Sequence, residues 1–468
     1  MILKRYLLFF LLFTSFILLS QQYETNWESL DSRPCPQWFT DAKFGIFIHW
    51  GVYSVPSWRK VTPGLYASYA EWYYARVMED TINGGKYFHT RVYGEEFEYR
   101  DFGPMFKAEL FEPKKWAELF KRSGAKYVVL TSKHHDGYCL WNTESPYKTN
   151  WNSTDVGPKR DLLGELTNAI KSEDLKMGIY YSVIEWETHS RNGKYFIDEK
   201  YVNKYAIPGD KYVDEHLHFQ LKELVNNYQP SLIFFDAGEW EGDDNYWKAK
   251  EFLSWLYTDS PIKNEVVVND RFFKGMPGNH GDYFSSEYKD AGRMGKDHPW
   301  EESRGIGGSY GFNRDENIDD YSTTTELIHE LIEIVSSGGN LLLNVGPTAD
   351  GRIPVIMQER LVEIGDWLSV NGEAIYESKP LKNQNITIQD DQIFITTKND
   401  NIYLICTAWP EDKIAIGGIL KQISNLELIG YTKKIEWSQT YNKLTITPPL
   451  MKISEIPCQH AWVFKVKL

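Results

Sequence analysis

Ser231-Leu-Ile-Phe-Phe-Asp236 is a short apolar run closed by a carboxylate, and the fold turns on how it is read. It does not alternate apolar with polar, so it fits a parallel strand buried on both faces. Runs of the same texture cover residues 43–50, 126–131, 175–183, 265–271 and 340–345. Between them lie amphipathic patterns. Residues 113–123 open with Pro113 in the first turn, and Val213, Leu217, Leu221, Leu224, Val225 and Tyr228 fall on one helical face. Further stripes run through 325–335 and through Met357, Leu361, Ile364 and Leu368.

Strand followed by helix, repeated over about 330 residues, restricts the fold to a doubly wound α/β sheet or a (β/α)8 TIM-like barrel. No Gly-x-Gly-x-x-Gly turn follows the first strand, which removes the main support for dinucleotide binding and favours the barrel. A barrel also accommodates the excursion from residue 51 to 111 as a loop on its catalytic face. From residue 378 the texture changes. Alternating stretches at 392–396 and 402–406 flank the polar turn 398–401, and 444–447 repeats the period of two. The expected organisation is a signal peptide at 1–20, a catalytic (β/α)8-like barrel at 21–377 and a C-terminal antiparallel β-sandwich at 378–468.

The 468 residues carry 51 basic and 65 acidic side chains, a formal charge of −14, which argues against nucleic acid or anionic membrane as a partner. Lys4 and Arg5 precede an uncharged apolar run from Leu7 to Leu19, the layout of a signal peptide too short to span a bilayer. An exported chain without a later membrane span is expected. Cys35, Cys139, Cys406 and Cys458 make neither a disulfide scaffold nor a zinc ribbon, although Cys406 and Cys458 lie in one segment where an oxidising compartment would let them pair. Asn152-Ser-Thr and Asn385-Ile-Thr are glycosylation sequons.

In a barrel the chemistry sits where strands end. The expected ends carry His49, His134 and His135, Tyr181, Asp236, Arg271 and, after Gly281-Asp-Tyr-Phe-Ser-Ser, Glu287. Asp236 closes a fully apolar run and must be partly desolvated, which suits a nucleophile or general base better than a turn residue. Its partner is a second carboxyl group, with Glu287 and the Glu301-Glu302 pair as candidates. The histidines lack His-x-His and His-Glu-x-x-His spacing, and adjacent side chains on an extended strand point to opposite sides. Hydrogen bonding to hydroxyl groups is expected of them, with no metal and no cofactor.

Trp38-Phe-Thr-Asp-Ala-Lys-Phe-Gly-Ile-Phe-Ile-His-Trp-Gly51, Glu71-Trp-Tyr73, Lys133-His-His-Asp-Gly137, Gly178-Ile-Tyr-Tyr-Ser182, Phe234-Phe-Asp236, Asn269-Asp-Arg271 and Gly338-Gly-Asn-Leu-Leu-Leu-Asn-Val-Gly-Pro347 together resemble the alpha-L-fucosidases of glycoside hydrolase family 29. The resemblance implies a retaining exo-hydrolase that removes terminal alpha-L-fucose from a fucosylated oligosaccharide or glycoconjugate. It assigns the nucleophile to Asp236 and the acid/base to Glu287, with Glu301 as runner-up. It places His49, Glu71, Trp72, His134, His135, Tyr181, Arg271 and Tyr310 around the sugar. Tyr181 is taken over Tyr180 because it is in phase with Ile179 and Met177. Where relatives carry a Cys after Trp-Glu, this chain has Ser303. A catalytically weak fucose-binding relative and a glycosidase for a related sugar such as an alpha-galactoside are the alternatives. The implied location is periplasmic or secreted, lysosomal in a eukaryote, and assembly into a homo-oligomer stays open.

Overall fold

The computed structural model describes residues 22–189, 204–288, 298–381, 386–388 and 390–468. The proposed signal peptide and Asn385 lie outside the described residues.

All six runs expected as strands contribute to one sheet, and two further strands join it. In chain order these are β1 (Phe44–Ile48), β2 (Tyr127–Lys133), β3 (Lys176–Ser182), β4 (Leu232–Asp236), β5 (Val267–Val268), β6 (Phe284–Glu287), β7 (Trp300–Gly305) and β8 (Asn340–Val345). Every pairing is parallel, in the order β5-β4-β3-β2-β1-β8-β7-β6. The sheet curls into a TIM-like barrel left open between β5 and β6. There the Asp282 and Tyr283 amides both donate to the Val268 carbonyl, at 2.9 and 3.4 Å, in place of a ladder.

Residues 269–283, between β5 and β6, form turns with no helix. Elsewhere helices cover the sheet, four of them as expected and α2 and α4 in addition: α1 (Pro113–Arg122), α2 (Leu162–Ser172), α3 (His218–Tyr228), α4 (Ala249–Thr258), α5 (Thr324–Ser336) and α6 (Val355–Asn371). Capping chemistry sets two of their starts. The Asp161 carboxylate accepts from the Gly164 amide, and Thr323 and Glu326 form a reciprocal box, each cap worth about 1 kcal/mol.

The period of two divides each strand between two cores. Phe47, Tyr127, Val129, Tyr180, Leu232 and Phe234 fill the barrel, while Ile46, Val128, Leu130, Ile179 and Tyr181 belong to the core shared with the helices. The interior has no slack: a Cβ on Gly45 would lie 2.4 Å from the Tyr127 ring. The excursion between β1 and α1 is a set of helical turns rather than an open loop, including Ala70–Trp72, Tyr73–Val77 and Gly85–Tyr93.

The last ninety-odd residues form a four-stranded and a five-stranded antiparallel sheet. Their shared core holds Leu404, Ile416, Leu444, Ile446, Phe464 and Val466. The hairpin of Ile393–Lys398 with Asn401–Cys406 turns at the expected polar residues. Tyr403, Ile405 and Val463 join the main core, and the Trp367 indole donates to the Ala461 carbonyl at 2.9 Å, fastening the sheets to α6. Two points the sequence leaves open are answered in the described residues. Cys406 and Cys458 are free thiols, and Asn371 donates to the Cys458 sulfur at 3.4 Å. Asn152 is buried, with its amide spent on the Lys148 carbonyl and on Asp155, so its sequon has no exposed nitrogen to glycosylate.

Candidate active site

Side chains at the C-terminal ends of the strands converge on a cavity of about 270 Å³, at the small end of ligand pockets and sized for a single sugar ring. His49, His134, His135, Asp236, Arg271 and Glu287 reach it from or just beyond β1, β2, β4, β5 and β6. Glu71 and Trp72 come from the 3-10 turn in the excursion, and Tyr310 from the segment after β7. His134 and His135 both line the cavity despite being adjacent. The chain leaves the extended conformation after Lys133, so strand alternation no longer separates them.

Tyr181 is not among them. It sits on the helix side of β3, donates to Gln220 at 2.8 Å and lies under the Lys133 ammonium. Tyr180 takes the inward position and donates to Asp236 Oδ2 at 2.6 Å. The phase of Met177 and Ile179 points outward because the helix layer, not the narrow barrel interior, takes the bulky aliphatic residues. The register pairs Tyr180 with Phe234, in phase with Asp236 on β4. Counting back from Asp236 and His49 by twos identifies Phe234 and Phe47, which also line the cavity.

Glu301 is absent from the cavity as well. It lies at the start of β7, fully buried, and accepts a hydrogen bond from Tyr127, the first residue of β2. Burial pushes its carboxyl up to about 8, so it is a neutral group in the floor of the barrel. Glu302 faces outward and pairs with Arg304 at 2.5 Å.

Arg271 is the electrostatic centre of the site. Its Nη1 lies 2.6 Å from Glu287 Oε1 and 3.5 Å from Asp236 Oδ1, and its Nε lies 2.8 Å from Glu239 Oε1. The two carboxylate oxygens that share Nη1 are therefore within about 6 Å of each other, shorter than the roughly 6.5–9.5 Å an inverting pair needs for its water. Burial alone would raise the Asp236 carboxyl. Arg271, His135, the Tyr180 hydroxyl and the Ala237 amide at 2.9 Å outweigh it and hold the group below the usual carboxylate range. Glu239, which the sequence reading did not identify, is pushed up to about 7 by burial against the pull of Arg271. Gly238 admits it to this position, since a Cβ there would lie 2.0 Å from the Phe272 carbonyl oxygen.

The rest of the cavity is built for hydroxyl groups against an apolar wall. Asn344 donates to the Tyr310 carbonyl and accepts from His49 Nδ1 at 2.7 Å, which leaves His49 Nε2 as a lone pair facing the cavity. The Ser182 hydroxyl donates to the Ile184 carbonyl and lies 2.6 Å from His135 Nδ1, while His135 Nε2 lies 3.5 Å from Asp236 Oδ2. Burial lowers both imidazoles to about 4 and keeps them neutral. Glu71 accepts from Ser309 and the Gly311 amide through Oε2, while its Oε1 is buried with no protein partner, as is His134 Nδ1. Burial pushes Glu71 up to about 7. Phe47, Phe234 and Tyr310 form the apolar side; Tyr310 stacks on His49 at 4.8 Å and is held through its hydroxyl by Ser303 at 2.8 Å.

A family model described as "Alpha-L-fucosidase" matches residues 11–373, and another described as "Alpha-L-fucosidase C-terminal domain" matches 384–467. The tissue alpha-L-fucosidase of Bos taurus is 42% identical over 455 residues, covering 95% of this chain and 91% of its own. The alpha-L-fucosidase of Dictyostelium discoideum is 43% identical, covering 88% and 87%. The crystal structure of Thermotoga maritima alpha-fucosidase in complex with fucose superposes with a TM-score of 0.80 at 35% identity, covering 95% of this chain and all of that one.

Proposed function

Since the chain belongs to the alpha-L-fucosidase family, we propose that its hydrolysis of terminal alpha-L-fucosides proceeds through a covalent fucosyl-enzyme formed on Asp236, with Glu287 as acid and then base. The observation that supports this reading is the single Arg271 nitrogen shared by the two carboxylates, which keeps those oxygens within about 6 Å of each other, below the separation an inverting pair needs.

In the first step an Asp236 oxygen attacks the anomeric carbon and the glycosidic C–O bond breaks. The bonding pair stays on the leaving oxygen, which takes the proton of Glu287. Glu287 is then a carboxylate, and Arg271 at 2.6 Å is placed to hold it in that form. In the second step Glu287 takes a proton from water, whose oxygen attacks the anomeric carbon and displaces Asp236. Two inversions leave free fucose in its original anomeric configuration. The unpartnered Glu71 Oε1 and His134 Nδ1, with the lone pair of His49, receive the sugar hydroxyls, and Phe47, Phe234 and Tyr310 receive the C6 methyl. Leaving one such buried group unpaired costs about 1–3 kcal/mol, which is how the pocket would reject a sugar lacking the matching hydroxyl. Export through residues 1–20 belongs to the same proposal, and no helix among the described residues is long and apolar enough to cross a membrane.

Asp236→Gly supplies the test. Turnover of an aryl alpha-L-fucoside should fall by several orders of magnitude and return with azide as a substitute nucleophile. Undiminished turnover would remove Asp236 from the mechanism. A parallel panel including an aryl alpha-galactoside should show release from the fucoside alone.

A further inference from the structure

The cavity is graded. His49, Glu71, Trp72, His135, Asp236 and Tyr310 are all buried, whereas Tyr66 and Trp240 are each 38% exposed and Arg76 is exposed. These three line the same cavity and form its mouth. The Tyr66 hydroxyl donates to the Glu287 carbonyl oxygen at 3.4 Å, so the mouth adjoins the group that protonates the leaving oxygen. Trp240 packs against His135 and Trp72, with ring centroids at 5.3 and 5.7 Å. A sugar attached to fucose must pass between these rings once fucose fills the buried end.

Arg76 adds a charge. Its guanidinium lies 4.0 Å above the Trp72 ring, a cation–π contact that orients it at the mouth. Among the described residues no carboxylate lies within ion-pair distance of it. The charged neighbour that acts on it is Arg59, which donates to the Arg76 carbonyl at 2.9 Å. An exposed guanidinium with no carboxylate among the described residues in ion-pair distance stands out at a pocket mouth in a chain of net charge −14.

From this geometry we infer that Tyr66, Trp240 and Arg76 form a leaving-group subsite that stacks on the sugar next to fucose and selects leaving sugars carrying an anionic substituent, a sulfate ester or a carboxylate. The inference rests on the fucosidase reading of the buried end. Aromatic faces supply contact to any pyranose ring, while the oriented guanidinium distinguishes a charged leaving sugar from a neutral one.

The test uses three fucosyl disaccharides of one linkage that differ only in the leaving sugar: glucose, glucose 6-sulfate and glucuronic acid. At low ionic strength kcat/KM should favour one or both anionic forms by roughly two- to tenfold, the range of a partly exposed charged contact. Raising salt shortens the Debye length from about 30 Å at 0.01 M to about 3 Å at 1 M, so the preference should shrink. In Arg76→Gln the anionic-to-neutral ratio should fall to near one, and in Arg76→Lys it should largely survive. Equal rates on all three substrates, or a preference untouched by Arg76→Gln, would overturn the subsite. Fucose release from none of the three and from no aryl fucoside would instead overturn the reading beneath it.

Discussion

Tyr180→Phe tests the electrostatics of the nucleophile. The hydroxyl donates to Asp236 Oδ2 at 2.6 Å in a buried setting, so the substitution removes a hydrogen bond to a charged acceptor and leaves the ring in place. Such a bond is worth roughly 1.5–3 kcal/mol. At about 1.4 kcal/mol per unit, the Asp236 carboxyl should move up by about one to two pH units. Only the anion attacks, so the acid limb of the kcat/KM profile on an aryl fucoside should rise by that amount. The deficit should be large at acidic pH and shrink above the displaced limb. Arg271, His135 and the Ala237 amide remain, which keeps the group ionisable. Tyr181→Phe is the control, because its hydroxyl meets Gln220 outside the barrel and its loss should leave the limb where it was. A Tyr180→Phe profile that is lowered uniformly, with the limb within about 0.3 units of wild type, would refute the argument.

Glu287→Ala should impair substrates with poor leaving groups far more than activated aryl fucosides, seen as a steep dependence of rate on leaving-group pKa; the same dependence in Glu301→Ala would contradict the placement of Glu301 in the barrel floor. Glu301 bears instead on stability. Its folded-state carboxyl stands at about 8 against an ordinary 4.5, so the neutral form is favoured by folding; the associated stability is complete below about 4.5 and lost as pH rises through about 8. Melting temperature should fall as pH rises from about 4.5 to about 8, and Glu301→Gln, which cannot ionise, should flatten the fall. Gly238→Ala should lower kcat/KM by an order of magnitude or more, because its Cβ would meet the Phe272 carbonyl oxygen and push Glu239 off Arg271; wild-type kinetics would show that this close approach does not position Arg271.

The strands with uniform apolar texture were legible, and so were the polar residues closing them, because an ionisable side chain after a buried run carries its own desolvation signal. Asp236, His49 and Arg271 come from that signal. β7 is not legible: Trp300–Gly305 carries Glu301, Glu302 and Arg304, and its burial depends on Tyr127 from a distant part of the chain and on the Glu302–Arg304 pair within the strand. β6 and β5 are short, and no helix separates them to mark the repeat. The inward position of Tyr180 is not legible from Met177 and Ile179, which face the helices; its pairing with Phe234, in phase with Asp236, determines it. Glu239, Tyr66, Arg76 and Trp240 lie in turns, where no periodicity exists to read, and only tertiary folding brings them to the cavity.

The assignment of Asp236 as the covalent nucleophile is tested most directly by trapping. Incubation with a 2-deoxy-2-fluoro-L-fucosyl donor bearing an activated leaving group, followed by proteolysis and mass spectrometry, should place one fluorofucosyl group on the peptide containing Asp236, with loss of activity in step with labelling. A label on Glu287, Glu239 or any other carboxylate, or turnover that yields fucose of inverted configuration with no adduct, would contradict it.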